Sequence, residues 1–336
     1  MPDFKFESTV KLKGIRFKSL QFLMKILDDY LVWILVAIML VIIAFSLKGF
    51  FSVPNISSII MNSTSLGLLV IAASIPLLAG QFDISIESTF GFCAMLGAIL
   101  VVWLKTPPFL AILLVLITGA LIGFFNGVCV SKIGVNSFMQ TLAMLIILRG
   151  LMTIILGGGK YISEFPEGYT IFGNTSLFGI PTPIIILFIF YIIFSVILGF
   201  RSFGRQLYAV GINPLAAWAS GINVSMTQIS AFTISGVVAA FAGLVHTTRF
   251  VKVDSSLGEG MIFFAVAAAV IGGISIYGGK GNMLGALGGV FFIGIITSIL
   301  AWFRLQPTIV NVLKGGLILF AVILDAVKNK IREQIK

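Results

Sequence analysis

The sequence predicts an all-α membrane protein with about ten transmembrane helices, some of them broken or short. Of its 336 residues, 59% are hydrophobic and 10% are charged, whereas about a quarter of an ordinary soluble domain is charged. Mean hydropathy is +1.14. Two uncharged stretches, 49–82 and 168–200, each exceed the roughly 20 residues that cross a bilayer. Water is therefore excluded as the solvent of most of the surface.

Ten apolar segments are long enough to be considered as spans. They cover residues 31–47, 56–78, 88–104, 109–130, 138–156, 183–200, 226–246, 261–274, 283–303 and 309–327. The eighth is short for a full crossing, which favours a broken or tilted helix. Polar residues also interrupt the apolar sequence between 80 and 88, so an irregular segment is expected there.

The distribution of basic residues predicts the orientation of these spans. Lysine and arginine side chains near membrane segments favour the cytoplasmic side. With both ends inside, the cytoplasmic segments contain fourteen of them and the outer segments six. The net charge of +10 thus comes from flanking segments, and no basic stripe with interleaved aromatic residues suggests nucleic-acid binding. Both termini are predicted to be cytoplasmic.

Small residues recur at helical spacing in three of the predicted spans. Such faces allow helix backbones to approach closely in lipid. They predict tight helix packing around the interior of the bundle. The faces consist of Gly119, Gly123 and Gly127 in the fourth span, the pairs Gly236/Ala240 and Ala239/Gly243 in the seventh, and Gly285/Gly289 in the ninth.

The residues needed for catalysis, metal binding or nucleotide binding are missing from the sequence. Cys93 and Cys129 lie in apolar segments, where thiols usually act as small apolar side chains. With one histidine in the chain, neither a Cys/His metal cluster nor a Cys–His pair is expected. The glycine-rich segments 157–160 and 278–281 lack the spacing and hydroxyl of a phosphate-binding loop.

The longest predicted cytoplasmic connection between spans, residues 201–225, contains the signals of a short helix. Asn213 suits the N-cap position and Pro214 the first helical position. Gly221 suits the left-handed conformation that follows a helix end. A stub over residues 214–220 is predicted at the membrane surface. It either merely connects two spans or docks a cytoplasmic partner.

Few charges lie in or near the spans, namely Asp83, Glu87, Arg149, Lys314 and Asp325. A charge at mid-bilayer costs about 2.5–3.5 kcal/mol on insertion scales, so each should face the bundle interior or an interface. Asp83 and Glu87 are four residues apart and would share one face of a helix. Both a functional and a structural role are open for this pair.

In its motifs the chain resembles the permease subunits of bacterial ABC importers for simple sugars, the ribose/xylose/galactoside group. The family's acidic motif is matched by residues 80–88, and its Thr-Leu-Gly…Arg-Gly motif by 141–150. Residues 267–289 match its densest glycine motif and 314–325 its C-terminal signature. The cytoplasmic motif recurs as Gly204, Arg205, Tyr208, Ala209, Gly211, Asn213, Ala216, Ala217, Ser220, Gly221 and Ile222.

The resemblance implies a non-hydrolysing subunit of a bacterial inner-membrane importer that moves a small neutral solute, such as a monosaccharide, by alternating access. The implied partners are an ATP-binding cassette ATPase that holds ATP and magnesium, a second permease subunit in a homo- or heterodimer, and an extracytoplasmic substrate-binding protein. Residues 1–30 and 328–336 would be basic cytoplasmic segments flanking a permease domain over 31–327.

The resemblance also assigns roles to residues. Those implied to couple the chain to the ATPase are Gly204, Arg205, Gly211, Asn213, Pro214, Ala216, Ala217 and Gly221. Because a surface stub adds little to bundle stability, Ala217→Arg is expected to uncouple transport and leave insertion intact. Asp83, Ser85 and Glu87 are candidates for the translocation pathway.

Glu87 and Gln81 depart from the family pattern, which has glycine at both positions. Asp83 is expected to be structural, held by hydrogen bonds or by a cation such as Arg149 or Lys314. Glu87 is expected to face the pathway, so that Glu87→Gly keeps expression and changes which solutes are carried. An autoinducer, nucleoside or branched-chain amino acid remains an alternative solute. An ion-coupled secondary transporter with Asp83 and Glu87 as a proton relay is the alternative mechanism.

The orientation can be tested by cysteine labelling of intact cells and inverted vesicles. Cysteines at Ser202 and Asn282 should react with a membrane-impermeant reagent only from the cytoplasmic side, and one at Gly168 only from outside, because of the bias in basic residues. Labelling of Ser202 from outside would rule out the ten-span topology.

Overall fold

A computed structural model describes residues 30–47 and 49–303, together with scattered helical positions between 309 and 323. Within these residues the chain is helical, with two pairs of two-residue strands. The helices are α1 Tyr30–Ser46, α2 Val53–Leu78, α3 Ile86–Ala98, α4 Pro108–Val128, α5 Ser137–Leu156, α6 Glu167–Asn174, α7 Thr182–Phe200, α8 Ser202–Ile212, α9 Pro214–Ala219, α10 Val224–Phe250, α11 Met261–Ile271 and α12 Met283–Trp302.

Nine of the ten predicted spans coincide with helices, and the all-α fold is confirmed. The π-helical turns Ile99–Trp103 and Cys129–Ile133 extend α3 and α4. With these extensions, seven of the described helices are long and apolar enough to cross a membrane. The eighth predicted span is short, as expected, because α11 ends at the Gly272–Gly273 turn. The predicted tenth span, like the flanking segments 1–29 and 328–336, lies largely or wholly outside the described residues.

The connections contain structure that the sequence analysis did not anticipate. Helix α6 and a hairpin of β2 (Ser176–Leu177) and β3 (Ile180–Pro181) precede α7. On the same predicted outer side, β1 (Tyr161–Ile162) pairs antiparallel with β4 (Val253–Asp254). The uncharged stretch 168–200 is therefore a surface helix, a hairpin and one span.

Helix α10 lies at the centre of the bundle, against α2, α3 and α4. In the most apolar stretch of each helix, 67% of the residues are buried in both α2 and α10, but only 22% in α4. Helices α2 and α10 therefore belong to the interior of the bundle. Large apolar side chains on α4, α5 and α7 are exposed, which is the surface that lipid would cover.

The predicted small-residue faces are the contacts that bring these helices together. A Cβ atom on Gly119 would overlap the main chain of Gly236, and one on Gly123 would overlap the carbonyl oxygen of Phe232. Two turns further along α10, Gly243 meets α3 at Phe90. Close backbone packing thus holds α10 against both α3 and α4, which confirms the predicted role of these glycines.

The glycine contact between α4 and α10 can be tested with a matched pair of variants. Gly123→Ala should lower the free energy of unfolding by about 1–3 kcal/mol, because the added methyl overpacks a helix contact. Gly150→Ala, in the middle of α5, should not, because a Cβ there meets no atom within 4 Å. The measurement is thermal unfolding in detergent, and equal midpoints for the two variants would contradict the packing account.

Candidate functional site

The stub predicted at residues 214–220 is present as helix α9. The Asn213 side chain accepts hydrogen bonds from the main-chain N–H groups of Leu215 and Ala216, at 3.0 and 3.1 Å. Gly221, just past the helix end, has φ +82°, where glycine is favoured. The cap, the first-turn proline and the terminating glycine all occupy their expected positions.

A second helix, α8, precedes the stub and was missed in the sequence analysis. It buries Gly204, Leu207 and Val210, so the buried positions follow a helical spacing of three that could have revealed it. A Cβ on Gly204 would overlap the main chain of Leu198 at the end of α7. Helix α8 is therefore packed tightly onto the bundle, and α9 follows it directly.

The eight residues assigned to coupling divide into two groups. Arg205, Asn213, Pro214, Ala216 and Gly221 are exposed, whereas Gly204, Gly211 and Ala217 pack inward to different degrees.

The exposed face of the stub carries apolar side chains that sequence reasoning did not select. Ile212, Leu215 and Trp218 are 70%, 79% and 71% exposed. Ala217 is only 4% exposed, so an arginine there would have to disrupt packing. The expectation that Ala217→Arg leaves the bundle intact is thus wrong in its premise, and Leu215 and Trp218 are the better docking candidates.

Three backbone segments meet at the end of α8, just before this stub in the chain. They are the end of α2 (residues 78–80), the end of α8 (211–212) and the loop 278–281 between α11 and α12; we call this contact the glycine junction. The N–H of Gly279 donates to the carbonyl of Leu78 at 2.9 Å. A Cβ on Gly211 would overlap that same carbonyl. Main chain therefore touches main chain at both of these contacts.

The glycine positions of the junction disfavour any other residue, for two reasons. Gly80, Gly278 and Gly279 have φ values of +71°, +86° and +70°, a region that is costly for other residues. A Cβ on Gly278 would also lie 2.8 Å from the Cα of Gly80. In addition, the Tyr208 hydroxyl on α8 donates to the Gly281 carbonyl at 2.8 Å. The segment before α9 is thus bound to α2 and to the α11–α12 loop.

Immediately after the junction, residues 81–85 are irregular and buried. Asp83 Oδ1 accepts from the main-chain N–H and the hydroxyl of Ser85, at 3.0 and 2.6 Å. Its Oδ2 accepts from the Ser235 hydroxyl on α10 at 3.3 Å. Asp83 is therefore held by hydrogen bonds alone among the described residues, one of the two arrangements that the sequence analysis allowed.

Side chains from α4 and α5 hold the rest of this segment. Thr141 Oγ1 accepts from the N–H of Ile84 at 3.1 Å, and Asn126 donates to the Ser85 hydroxyl at 2.9 Å. Gln140 in turn donates to Asn126 at 3.3 Å. Buried main-chain groups need such partners because water cannot reach them.

Glu87 has different partners from Asp83. Glu87 lies in α3, which begins at Ile86, whereas Asp83 precedes the helix. The Glu87 carboxylate lies 3.5 Å from the Arg149 guanidinium and accepts from the N–H of Ile262 at 3.2 Å. Arg149 also donates to the carbonyls of Ser255 and Leu257, at 3.1 and 2.9 Å. The pair therefore connects α3, α5 and the segment before α11.

These contacts revise the roles expected for the acidic residues. Asp83 and Glu87 do not share a helix face, and Arg149 pairs with Glu87 rather than with Asp83. Asp83, Ser85 and Glu87 are all buried, so a role in the translocation pathway stays a prediction. The expectation that Glu87→Gly keeps expression does not fit, since it would leave Arg149 without its carboxylate. Lys314 lies outside the described residues.

Comparison with known families identifies the chain as the membrane-spanning component of an ABC importer. A family model described as the permease component of branched-chain amino acid transport systems matches residues 55–322. The chain belongs to this family of importer permeases, as the sequence motifs indicated. It is therefore a non-catalytic subunit, and the ion-coupled carrier is not supported as its class.

Individual relatives agree with this assignment. The ribose import permease protein RbsC of Haemophilus influenzae is 32% identical over 296 residues, or 87% of this chain and 91% of the relative. The autoinducer 2 import system permease protein LsrC of Salmonella typhimurium is 34% identical over 275 residues, 82% of this chain and 78% of the relative. Escherichia coli RbsC is 29% identical over 295 residues, 87% and 92% of the two chains. No solved structure matches the chain significantly.

The Glu87–Arg149 pair generates a stability prediction. Glu87→Gln should lower the free energy of unfolding by roughly 1–3 kcal/mol, because it leaves a partly buried guanidinium without its charged partner. Arg149→Gln should cost less in the Glu87→Gln background than in the parent chain. Glu259→Gln, at an exposed carboxylate in the segment before α11, is the control. Thermal unfolding of the parent, the two single variants, the double variant and the control checks this. Strictly additive losses would contradict a coupled pair.

Proposed function

We propose that this permease translocates a small neutral solute of the monosaccharide class by alternating access, driven by a partner ATPase. The observation that carries the mechanism is the glycine junction. Helix α9 presents an apolar face to solvent, and the helix before it contacts α2 and the α11–α12 loop through main-chain atoms. A push on α9 would therefore reach two parts of the bundle at once.

The solute class is supported by the relatives and by the partners that the acidic pathway candidates already have within the protein. Two of the relatives described above are named for ribose import and one for autoinducer 2 import. The charge on Glu87 is already paired with Arg149, and Asp83 is hydrogen-bonded within the protein. Neither acidic group is thus free to select a charged solute, which favours a neutral one.

In the proposed importer, this chain lies in the bacterial inner membrane with both termini in the cytoplasm. An ATP-binding cassette ATPase would contact α9 from the cytoplasm, and a second permease subunit would complete the pathway. An extracytoplasmic substrate-binding protein would deliver the solute at the opposite face. ATP and magnesium would be held by the ATPase alone.

Docking by the exposed face of α9 can be tested by pull-down. Leu215→Asp should weaken capture of the ATPase by the purified permease at least about tenfold, as expected for loss of an apolar anchor in an interface. Phe178→Asp, at a 94% exposed phenylalanine of the β2–β3 hairpin, should retain capture. Full ATPase binding by Leu215→Asp would return residues 201–225 to the role of a simple connection.

A different variant tests whether movement of α9 reaches the bundle through the glycine junction. Gly211→Ala places a methyl group on the Leu78 carbonyl. It should therefore separate α8 from α2 while leaving the exposed face of α9 unchanged. In the complete importer, we expect ATPase capture to persist and ribose carried per ATP hydrolysed to fall at least about tenfold, a loss of about 1.4 kcal/mol or more. An unchanged transport ratio would exclude the junction as the route of coupling.

A further inference from the structure

A second polar cluster lies at the other end of α10, away from the junction and the acidic residues. It joins the last two turns of α10 to an early turn of α2. We call it the α10 outer cluster; its members are Asn62, Ser65, His246, Arg249 and Phe250. The predicted orientation places this cluster in the outer half of the bundle.

Arg249 has a hydrogen-bond donor to spare. One guanidinium nitrogen, Nη2, donates to Asn62 Oδ1 at 2.8 Å, and the guanidinium carbon lies 4.8 Å from the centre of the Phe250 ring. The other terminal nitrogen, Nη1, is buried and has no hydrogen-bond partner among the described residues. A buried charged donor without an acceptor is costly, so a site that retains one is suited to an acceptor from elsewhere.

The histidine contributes an aromatic wall and a second polar contact. The His246 ring lies 4.4 Å from the Phe250 ring and 5.4 Å, edge-on, from the Phe90 ring. Its Nδ1 atom is 3.3 Å from the hydroxyl oxygen of Ser65. The described residues contain no group of three potential metal ligands, so this histidine is not part of a metal site there.

The placement of the cluster argues against a lipid-facing surface. His246 and Arg249 are partly exposed, and Asn62 and Phe250 are exposed. Ionisable side chains within a span almost always face the bundle interior or a water-filled cavity. This cluster therefore borders an aqueous space or a partner subunit.

We propose that the α10 outer cluster is a contact site for the transported solute, and that this solute is polyhydroxylated; the inference rests on the function proposed above. The unpaired Arg249 Nη1 and the Asn62 amide N–H that is not donated to Ser58 can bind hydroxyl oxygens. The exposed Phe250 ring supplies an apolar surface beside them, and small-molecule sites combine apolar surface with a few polar groups. None of the five members is acidic, which disfavours a cationic solute.

The site also has a direct connection to the cytoplasmic machinery. The same unbroken helix begins at Val224, shortly after α9, and contacts Asp83 through Ser235 in its middle. Its far end carries His246 and Arg249. A displacement of α9 that is passed along this helix would thus alter the geometry of the solute contact.

The first test does not depend on the solute. It measures whether the α10 outer cluster is accessible to water. In intact cells, a cysteine at Asn62 should react with a negatively charged, membrane-impermeant methanethiosulfonate reagent. Cys93 and Cys129 are buried and give a low background. A cysteine at Leu121, on the exposed apolar face of α4, should stay unreactive because lipid covers it. An unreactive Asn62→Cys in properly inserted protein overturns the proposal.

The second test measures transport by the complete importer in proteoliposomes with radiolabelled ribose. Arg249→Gln should lower ribose carried per ATP hydrolysed at least about tenfold, while ATPase activity stimulated by the binding protein stays within about twofold. Lys252→Gln removes an exposed charge three residues further along and should change neither quantity.

The outcomes separate this inference from the proposed function. An Arg249→Gln importer that carries ribose as efficiently as the parent overturns the contact site and leaves the permease assignment intact. If the parent importer carries neither ribose nor any other monosaccharide of a labelled panel, the proposed solute class fails. Reactivity of Asn62→Cys would then still support an aqueous site at the cluster.

Discussion

Main-chain groups that are buried away from water must find partners within the protein, and this constraint shapes the whole region after α2. Where α2 ends, the Leu78 carbonyl is bound by the N–H of Gly279. The main-chain N–H groups of the following irregular residues donate to the side chains of Ser137, Thr141 and Asp83. The end of one helix is thereby tied to α5, α8 and the α11–α12 loop, and these ties set the position of α9.

Glycine has two separate uses in this chain. In the interior of α4, α10 and α12 it removes a side chain so that helices can touch, as at Gly119 and Gly236. At the junction it also permits positive φ values, as at Gly80 and Gly278. The glycines inside the helices thus determine which helices pack together. At the junction, main chain contacts main chain directly. A displacement of one segment would therefore move the other, because no flexible side chain absorbs it.

The sequence was sufficient for the described spans and for α9, but not for α6 and α8, because apolar length and capping residues are local signals. Asn213, Pro214 and Gly221 could be read without knowing their neighbours. The partners of Asp83 and Glu87 could not, since Ser235 and Arg149 lie far away in the sequence and their registers depend on helix packing. The burial of Ala217 and the exposure of Trp218 likewise depend on how a six-residue helix is oriented.

Coupling through the glycine junction requires that α9, the end of α2 and the α11–α12 loop move together. Spin labels at Ser220 and Lys280, both exposed, would report on it by pulsed electron–electron double resonance in the assembled importer. The account predicts the same distance distribution in the nucleotide-free state and in the ATP-trapped state, while transport-linked distances elsewhere in the bundle change. A shift of the Ser220–Lys280 distribution on ATP binding would show that the junction opens, and would contradict the account.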